Sequence, residues 1–571
     1  MKPKYIILIA LSACMGLGGC EDFLDTTDYM SKNDGNFPLS IDDIQQELTG
    51  CYSLMAHNMD LNSSFYTSDI LSDDRFGGGG GGDIENRAKE KLLKVNNDMY
   101  NSTWSNLYVS VFNTNKLIEN TEKVIFDNED QKNYILGQVH FLRAFAYMEL
   151  TRLFGEVPLN TTSLAQATGQ ASADELHAFI ASDLKKSIEL LPSIKHQNIN
   201  PDDLGRVTKW AAQAFMAREF LFYTGYYQKE SLPLHEGGAI EKSQVVSYLE
   251  DCISNSGHAL LPDFRSNWPY GNIATRDDYN YTKENNIVWA EENGSNYETV
   301  FAIKYGVTAS WSDFNYNNTI NVYCSMRGQG NYANCFPFGE GWGFGTVNPG
   351  FWKDWELDEP KDIRRKGSII NVDDPDEGIK VYVDGGGEQM EDTHLWCKKY
   401  AAITSWKDQT KTEVEGYSCK LYGTLNDFPF FNTQDLVLMR FSDILLMYSE
   451  LTETIQNLNI VRNRVGLPPV EAYSREAIEK ERRYELAMEG VRYYDLLRWY
   501  QKEAGKIIDK NQNGHAMKDN RVDKIYHRNL EKRIRETGGF LQIPQRQIDL
   551  TNHLLKQNPG WDTNDIQYEE V

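Results

Sequence analysis

The chain has 571 residues, 83 of them acidic and 58 basic, for a formal charge of −25, and 40% of its residues are hydrophobic. So acidic a surface repels phosphate backbones and anionic headgroups, which excludes nucleic-acid binding and polybasic docking to a membrane. The hydrophobic share excludes a disordered polymer, and the length suffices for a large core.

Lys2 and Lys4 precede an apolar run from Tyr5 to Leu17, followed by Leu17-Gly18-Gly19-Cys20. This is the form of a bacterial lipoprotein processing site, with residues 1–19 removed as a signal peptide and Cys20 acylated. The run is too short to span a bilayer, so the expected membrane anchor is lipid. Loss of two lysines takes the charge to −27. Six cysteines follow Cys20, too few for a disulfide framework and without zinc spacing; Cys324 and Cys335 are the expected pair.

Apolar residues at helical spacing predict helices over Trp104–Asn120, Tyr134–Phe154, Ala173–Leu191, Gly205–Gly225, Arg440–Leu451 and Ser474–Trp499, with Ser474 as an N-cap. Tyr134–Phe154 presents one buried stripe, and Ala211, Ala214 and Ala217 let a second helix approach closely. The expected fold is mainly α: a tetratricopeptide-like helix-pair scaffold over about 40–261 and 435–571, in one domain spanning 20–571. Residues of about 262–434 form an insert, mostly irregular with short strands.

Between Pro262 and Trp355, 21 of 94 residues are aromatic, about twice the whole-chain share of 12%, and six of the twelve tryptophans lie there. Only Glu298–Tyr305 alternates as a strand does. Loops on a rigid frame are where ligands are met; the competing reading makes these aromatics a second core.

Other signals have bland explanations. The run Gly77–Gly82 lacks the Gly-Lys-Ser/Thr of a phosphate loop and reads as a mobile or closely approached loop, and Gly341–Gly345 reads as an aromatic loop with flexible joints. Glu481, Glu485 and Glu489 form one carboxylate stripe on a helix; local ion pairs with Arg482, Arg483, Arg492 and Arg498 explain it better than glycosidase chemistry. Asp509-Lys-Asn511-Gln-Asn513-Gly514 matches the first half of a calcium loop, with Asn520 where a bidentate Glu belongs. No HExxH or GxSxG is present, no cofactor is called for, and no enzyme is expected.

Several segments together resemble the SusD/RagB family of surface lipoproteins. They are Cys20-Glu-Asp-Phe-Leu-Asp25; Leu142-Arg-Ala-Phe-Ala-Tyr147 with Leu153-Phe-Gly-Glu-Val-Pro158; Gly205-Arg-Val-Thr-Lys-Trp-Ala-Ala212; Arg440-Phe-Ser-Asp-Ile-Leu-Leu446; Leu458-Asn-Ile-Val-Arg462; Glu481-Arg-Arg-Tyr-Glu-Leu486; and Gln557-Asn-Pro-Gly-Trp561. The resemblance implies tetratricopeptide-like helix pairs, an outer-membrane, cell-surface location, and non-catalytic capture of oligo- or polysaccharide for a SusC-like TonB-dependent transporter. One departure is the short linker between Glu450 and Asn459, which touches the geometry of the last helix pair more than the function.

Glycan residues in such proteins come from variable loops, so they are chosen here on physics. Sugar C–H faces pack on flat aromatics while hydroxyls need fixed polar partners. Trp311, Tyr316 and Trp342 are the expected platforms, with Trp268 and Tyr270 behind them, and Asp73, Asp74, Arg75 and Asn315 the polar partners. A peptide-capturing relative and a surface glycoside hydrolase remain as alternatives.

Overall fold

The computed structural model of the protein describes residues 37–94, 98–164, 167–293, 296–306 and 310–561. The signal segment and Cys20 lie outside the described residues. No helix among those described is long and apolar enough to cross a membrane.

Helices α1 (Ile41–His57), α2 (Asn101–Thr121), α3 (Glu129–Phe154), α4 (Ala173–Leu190), α5 (Lys209–Tyr226) and α6 (Lys242–Asn255) each pack on the next. Their starts carry local caps: Ser40 Oγ accepts from Asp43 N, Asn128 from Gln131 N, and Thr208 from Ala211 N. Ser172 and Glu175 form a reciprocal capping box on α4. The expected single stripe on α3 is instead burial on every face from Gly137 to Phe154, because α1, α2 and α4 enclose it and Leu541 and Asn558 bond to its last turn. Its polar residues therefore need partners inside. His140 and Arg143 find one in Asp183, at 2.7 Å each. Burial, the largest single influence, raises the Asp183 carboxyl, but the charges and hydrogen bonds of Arg143 and His140 together outweigh it and hold it at about 2.

Strand β1 (Thr299–Ile303) pairs antiparallel with β2 (Leu436–Arg440), and helices α7 (Phe441–Thr452), α8 (Gln456–Arg464), α9 (Arg475–Glu485) and α10 (Arg492–Tyr500) complete the scaffold. Helix α7 packs on α6, and α10 on α5. The continuous helix expected over Ser474–Trp499 is two. Ser474 does cap α9, but Met488 and Gly490 take φ of +60° and +72°, and a Cβ on Gly490 would lie 2.6 Å from the Phe65 ring. A single hydrophobic cluster runs from Ile44 to Trp561 through scaffold and insert alike.

The carboxylate stripe is indeed paired, though by residues distant in sequence. Glu485 meets Arg364 at 3.0 Å, Arg440 at 2.7 Å, and Arg464; Glu481 meets Arg364 at 2.6 Å and Arg462 at 2.9 Å; Glu489 meets Arg440 at 2.7 Å and Lys399 at 2.5 Å. Neither the partial calcium-loop match nor the expected cysteine pairing is realised. Residues 504–512 are helical, and Asp509 accepts from Leu530 N and Glu531 N to cap the following helix, so no calcium loop forms. Cys324 and Cys335 are both free: Cys324 Sγ accepts from Arg75 at 3.0 Å, and Cys335 Sγ lies on Val381 O.

Replacing Arg440 by Met strands the carboxylates of Glu298, Glu485 and Glu489 in the interior. The expected cost is about 3–5 kcal/mol, read as a lower urea midpoint at unchanged slope.

Candidate functional site

Residues Trp311–Tyr316 form a 3-10 helix in which the Ser312 amide donates to Ser310 Oγ. At three residues per turn, i and i+3 eclipse, which sets Phe314 beside Trp311 with ring centres 5.4 Å apart. Phe314 in turn lies 5.7 Å from Trp342, which lies 5.3 Å from Tyr323. On the other side Trp311 meets Phe430 edge-on at 5.2 Å. The outcome is a continuous aromatic surface with Trp311 63% exposed at its outer end and Tyr316, 40% exposed, beside it against His57.

Trp342 is fixed by backbone. Its amide donates to Val322 O at 2.8 Å, and Gly79 N donates to Gly343 O at 2.7 Å, so the glycine run 77–82 is a closely approached segment. Gly343 takes φ of +75°, and a Cβ there would sit 1.9 Å from Gln389 Oε1. Glycine suits that joint because of its positive φ and because the Gln389 and Arg327 side chains lie over it. The buried carboxylates of Glu90 and Glu391 accept from Gly77 N and Gly78 N at 2.7 and 2.8 Å.

Two clefts flank the surface. Next to Tyr316, between α1 and the free edge of β1, is a groove of about 290 Å³ lined by Tyr52, Ser53, Arg206, Lys304 and Tyr305. A second, of about 400 Å³, is lined by Asn331, Tyr332, Glu340, Asn426, Asp427 and Phe428. Burial raises the Glu340 carboxyl above its usual range and the charge of Asp427 adds to this. Among the described residues neither side chain makes a hydrogen bond or ion pair.

The structure thus brings Trp311, Tyr316 and Trp342 to one surface and removes five other expected residues from it. Trp268 and Tyr270 are fully buried, Trp268 edge-on to Tyr400 at 5.6 Å and Tyr270 donating to Gly367 O. They belong to the core, as most of the aromatic insert does, because the irregular insert has no other means of filling its interior. Asp73 pairs with Arg492 at 2.8 Å and Arg483 at 3.1 Å, and Asp74 with Arg483 at 2.7 Å. Arg75 pairs with Asp69 at 2.8 Å and donates to Gly345 O. All three are buried among these partners, with only Asp74 Oδ2 among their oxygens and nitrogens left without one, and none stands on the aromatic surface. Asn315 lies in the same 3-10 turn as Trp311, its side chain outside the described atoms. Sequence reasoning missed Phe314 and Phe430; the i, i+3 spacing of Trp311 and Phe314 is the signal that finds the first.

Trp268→Ala should cost about 3–5 kcal/mol of stability and Trp311→Ala under about 1 kcal/mol, as measured by chemical denaturation.

The family model described as "SusD family" matches residues 265–561, and one described as "Starch-binding associating with outer membrane" matches residues 22–221. SusD-like protein P25 of Formosa agariphila is 24% identical over 532 residues, covering 84% of this chain and 87% of that protein. A solved laminarin-binding SusD-like protein is 24% identical with a TM-score of 0.67, covering 91% of this chain and all of that one. Surface glycan-binding protein A from Bacteroides thetaiotaomicron, solved in complex with laminarihexaose, is 21% identical with a TM-score of 0.68, covering 91% of this chain and 99% of that one. These structures share the mainly helical fold. With the first model alone matching more than half its length, the chain belongs to the SusD family.

Proposed function

We propose that the protein captures oligo- or polysaccharide at the cell surface and passes it, uncleaved, to a SusC-like TonB-dependent outer-membrane transporter. The observation that carries this reading is the aromatic surface of Trp311, Phe314 and Trp342, exposed at Trp311 and half-buried at the other two, set beside two clefts. Flat rings offer stacking faces to sugars, and Glu340, Asp427 and Asn426 replace the buried Asp73 and Asp74 as hydroxyl partners. The laminarihexaose complex of a protein with this fold supports a glycan as ligand. An acidic chain favours neutral over anionic glycans.

Trp311→Ala and Trp342→Ala should each weaken binding to a glycan array's best ligand roughly tenfold or more, a loss of about 1.4 kcal/mol or above, with nearly unchanged melting. The ligand's chain length should be the same before and after incubation. Shortening that disappears in Glu340→Gln would instead make the cleft hydrolytic, since Glu340 and Asp427 are the unpaired carboxyls beside the platform.

In the same reading Cys20 carries the lipid that holds the protein against the transporter and raises the ligand's local concentration there. Cys20→Ser should release the protein from membranes, and mild-detergent purification of the unaltered protein should recover a large barrel in near-equal amount. Retention of the variant on membranes would sink the lipid anchor.

A further inference from the structure

Where α3, α5, α7, α9 and α10 converge, far in sequence from the aromatic surface, four arginines line one small cavity: Arg152, Arg218, Arg482 and Arg498. Arg482 and Arg498 are fully engaged. Arg482 donates to Asp495 at 2.9 Å and Asp443 at 2.6 Å; Arg498 donates to Asp495 at 2.8 Å and pairs through both terminal nitrogens with Glu450. The other two are incomplete. Arg218 donates to Leu438 O and Asp443 but leaves Nε–H unmade, and Arg152, 8% exposed, makes no hydrogen bond or ion pair among the described residues. The Tyr494 ring lies 5.5 Å from its guanidinium carbon, and the Tyr494 hydroxyl, also on the cavity wall, makes no well-formed hydrogen bond, with Ser64 as its polar neighbour.

These three orphans share a sign. Arg152 Nε–H and Arg218 Nε–H are donors only, the tyrosine hydroxyl can donate as well as accept, and the carboxylate lining the cavity, Asp495, has both oxygens paired. A buried guanidinium without a counter-charge is among the costliest groups a fold can hold. The charge count agrees: direct contacts set Asp443, Asp495 and Glu450 against the four arginines, one carboxylate short, and Glu149, which Arg152 meets only through its charge, is turned to Ser64, accepting from its amide at 2.8 Å and its hydroxyl at 2.5 Å. The cavity has about 20 Å³ open to the centre of a water-sized sphere, enough for a single water or an ion little larger. We propose that the cavity is a binding site for one small monovalent anion of halide size, which completes the ion pairing where the N-terminal helices meet the C-terminal ones.

The test uses halides as the probes. Crystals of the protein grown in bromide should show an anomalous peak in the cavity in contact with Arg152 Nε and Arg218 Nε. At fixed ionic strength, replacing gluconate by about 100 mM chloride should raise Tm by roughly 1–2 °C for a chain of this size, while sulfate should do less. Arg152→Gln should lose both the peak and the chloride dependence, and Tyr494→Phe should reduce them should the first variant fold poorly. A bromide crystal without the peak, or a Tm rise of equal size in the variants, overturns the proposal; a rise as large with sulfate as with chloride overturns the size assignment.

Discussion

The guanidinium of Arg440, fully buried, makes six hydrogen bonds, to Glu298, Ser442, Glu485, Glu489 and the Glu485 carbonyl, and the fold is organised around it. Arg440 sits where β2 turns into α7, Glu298 immediately precedes β1, and Glu485 and Glu489 lie at the end of α9 and in the break after it. One side chain therefore ties β1 within the insert to the insert's exit and to the packing of the last helices. Arg364 and Lys399, both from the insert, join the same carboxylates, so the insert is bound to the scaffold through charge as well as apolar contact. A network of this kind contributes little net stability, but its geometry is exacting, and a misplaced insert would leave charges buried without partners.

That constraint reaches the candidate site through the N-terminal loop. Asp73 and Asp74 are gripped by Arg483 and Arg492 on either side of the α9–α10 break, and Arg75 by Asp69 and Gly345 O. Burial favours the neutral acid at Asp73, but Arg483 and Arg492 outweigh it and keep the carboxyl below its usual range. With this stretch immobile, the following glycines lie against residues 341–345 and set the position of Trp342. The charged residues that looked like ligand partners are thus the parts that hold the stacking surface still, and a rigid surface binds without an ordering cost.

The sequence by itself determined the helical scaffold, because its signals are local. Apolar spacing placed α2 to α5, and Ser172, Thr208 and Ser474 are caps that act over three residues. It also determined the acidic character and the family, and it marked Trp311, Tyr316 and Trp342 as loop aromatics among polar neighbours. Only the tertiary structure decided which charges and rings are free. Asp73 and Glu340 look alike in a sequence; one is paired with arginines more than 400 residues away and the other faces a cleft. Trp268 and Trp311 both lie in the aromatic insert, yet Trp268 is enclosed by Tyr400 and Lys399, whereas Trp311 stands on a short helix at the surface. Burial and pairing depend on contacts between distant segments, and those contacts have no local pattern to read.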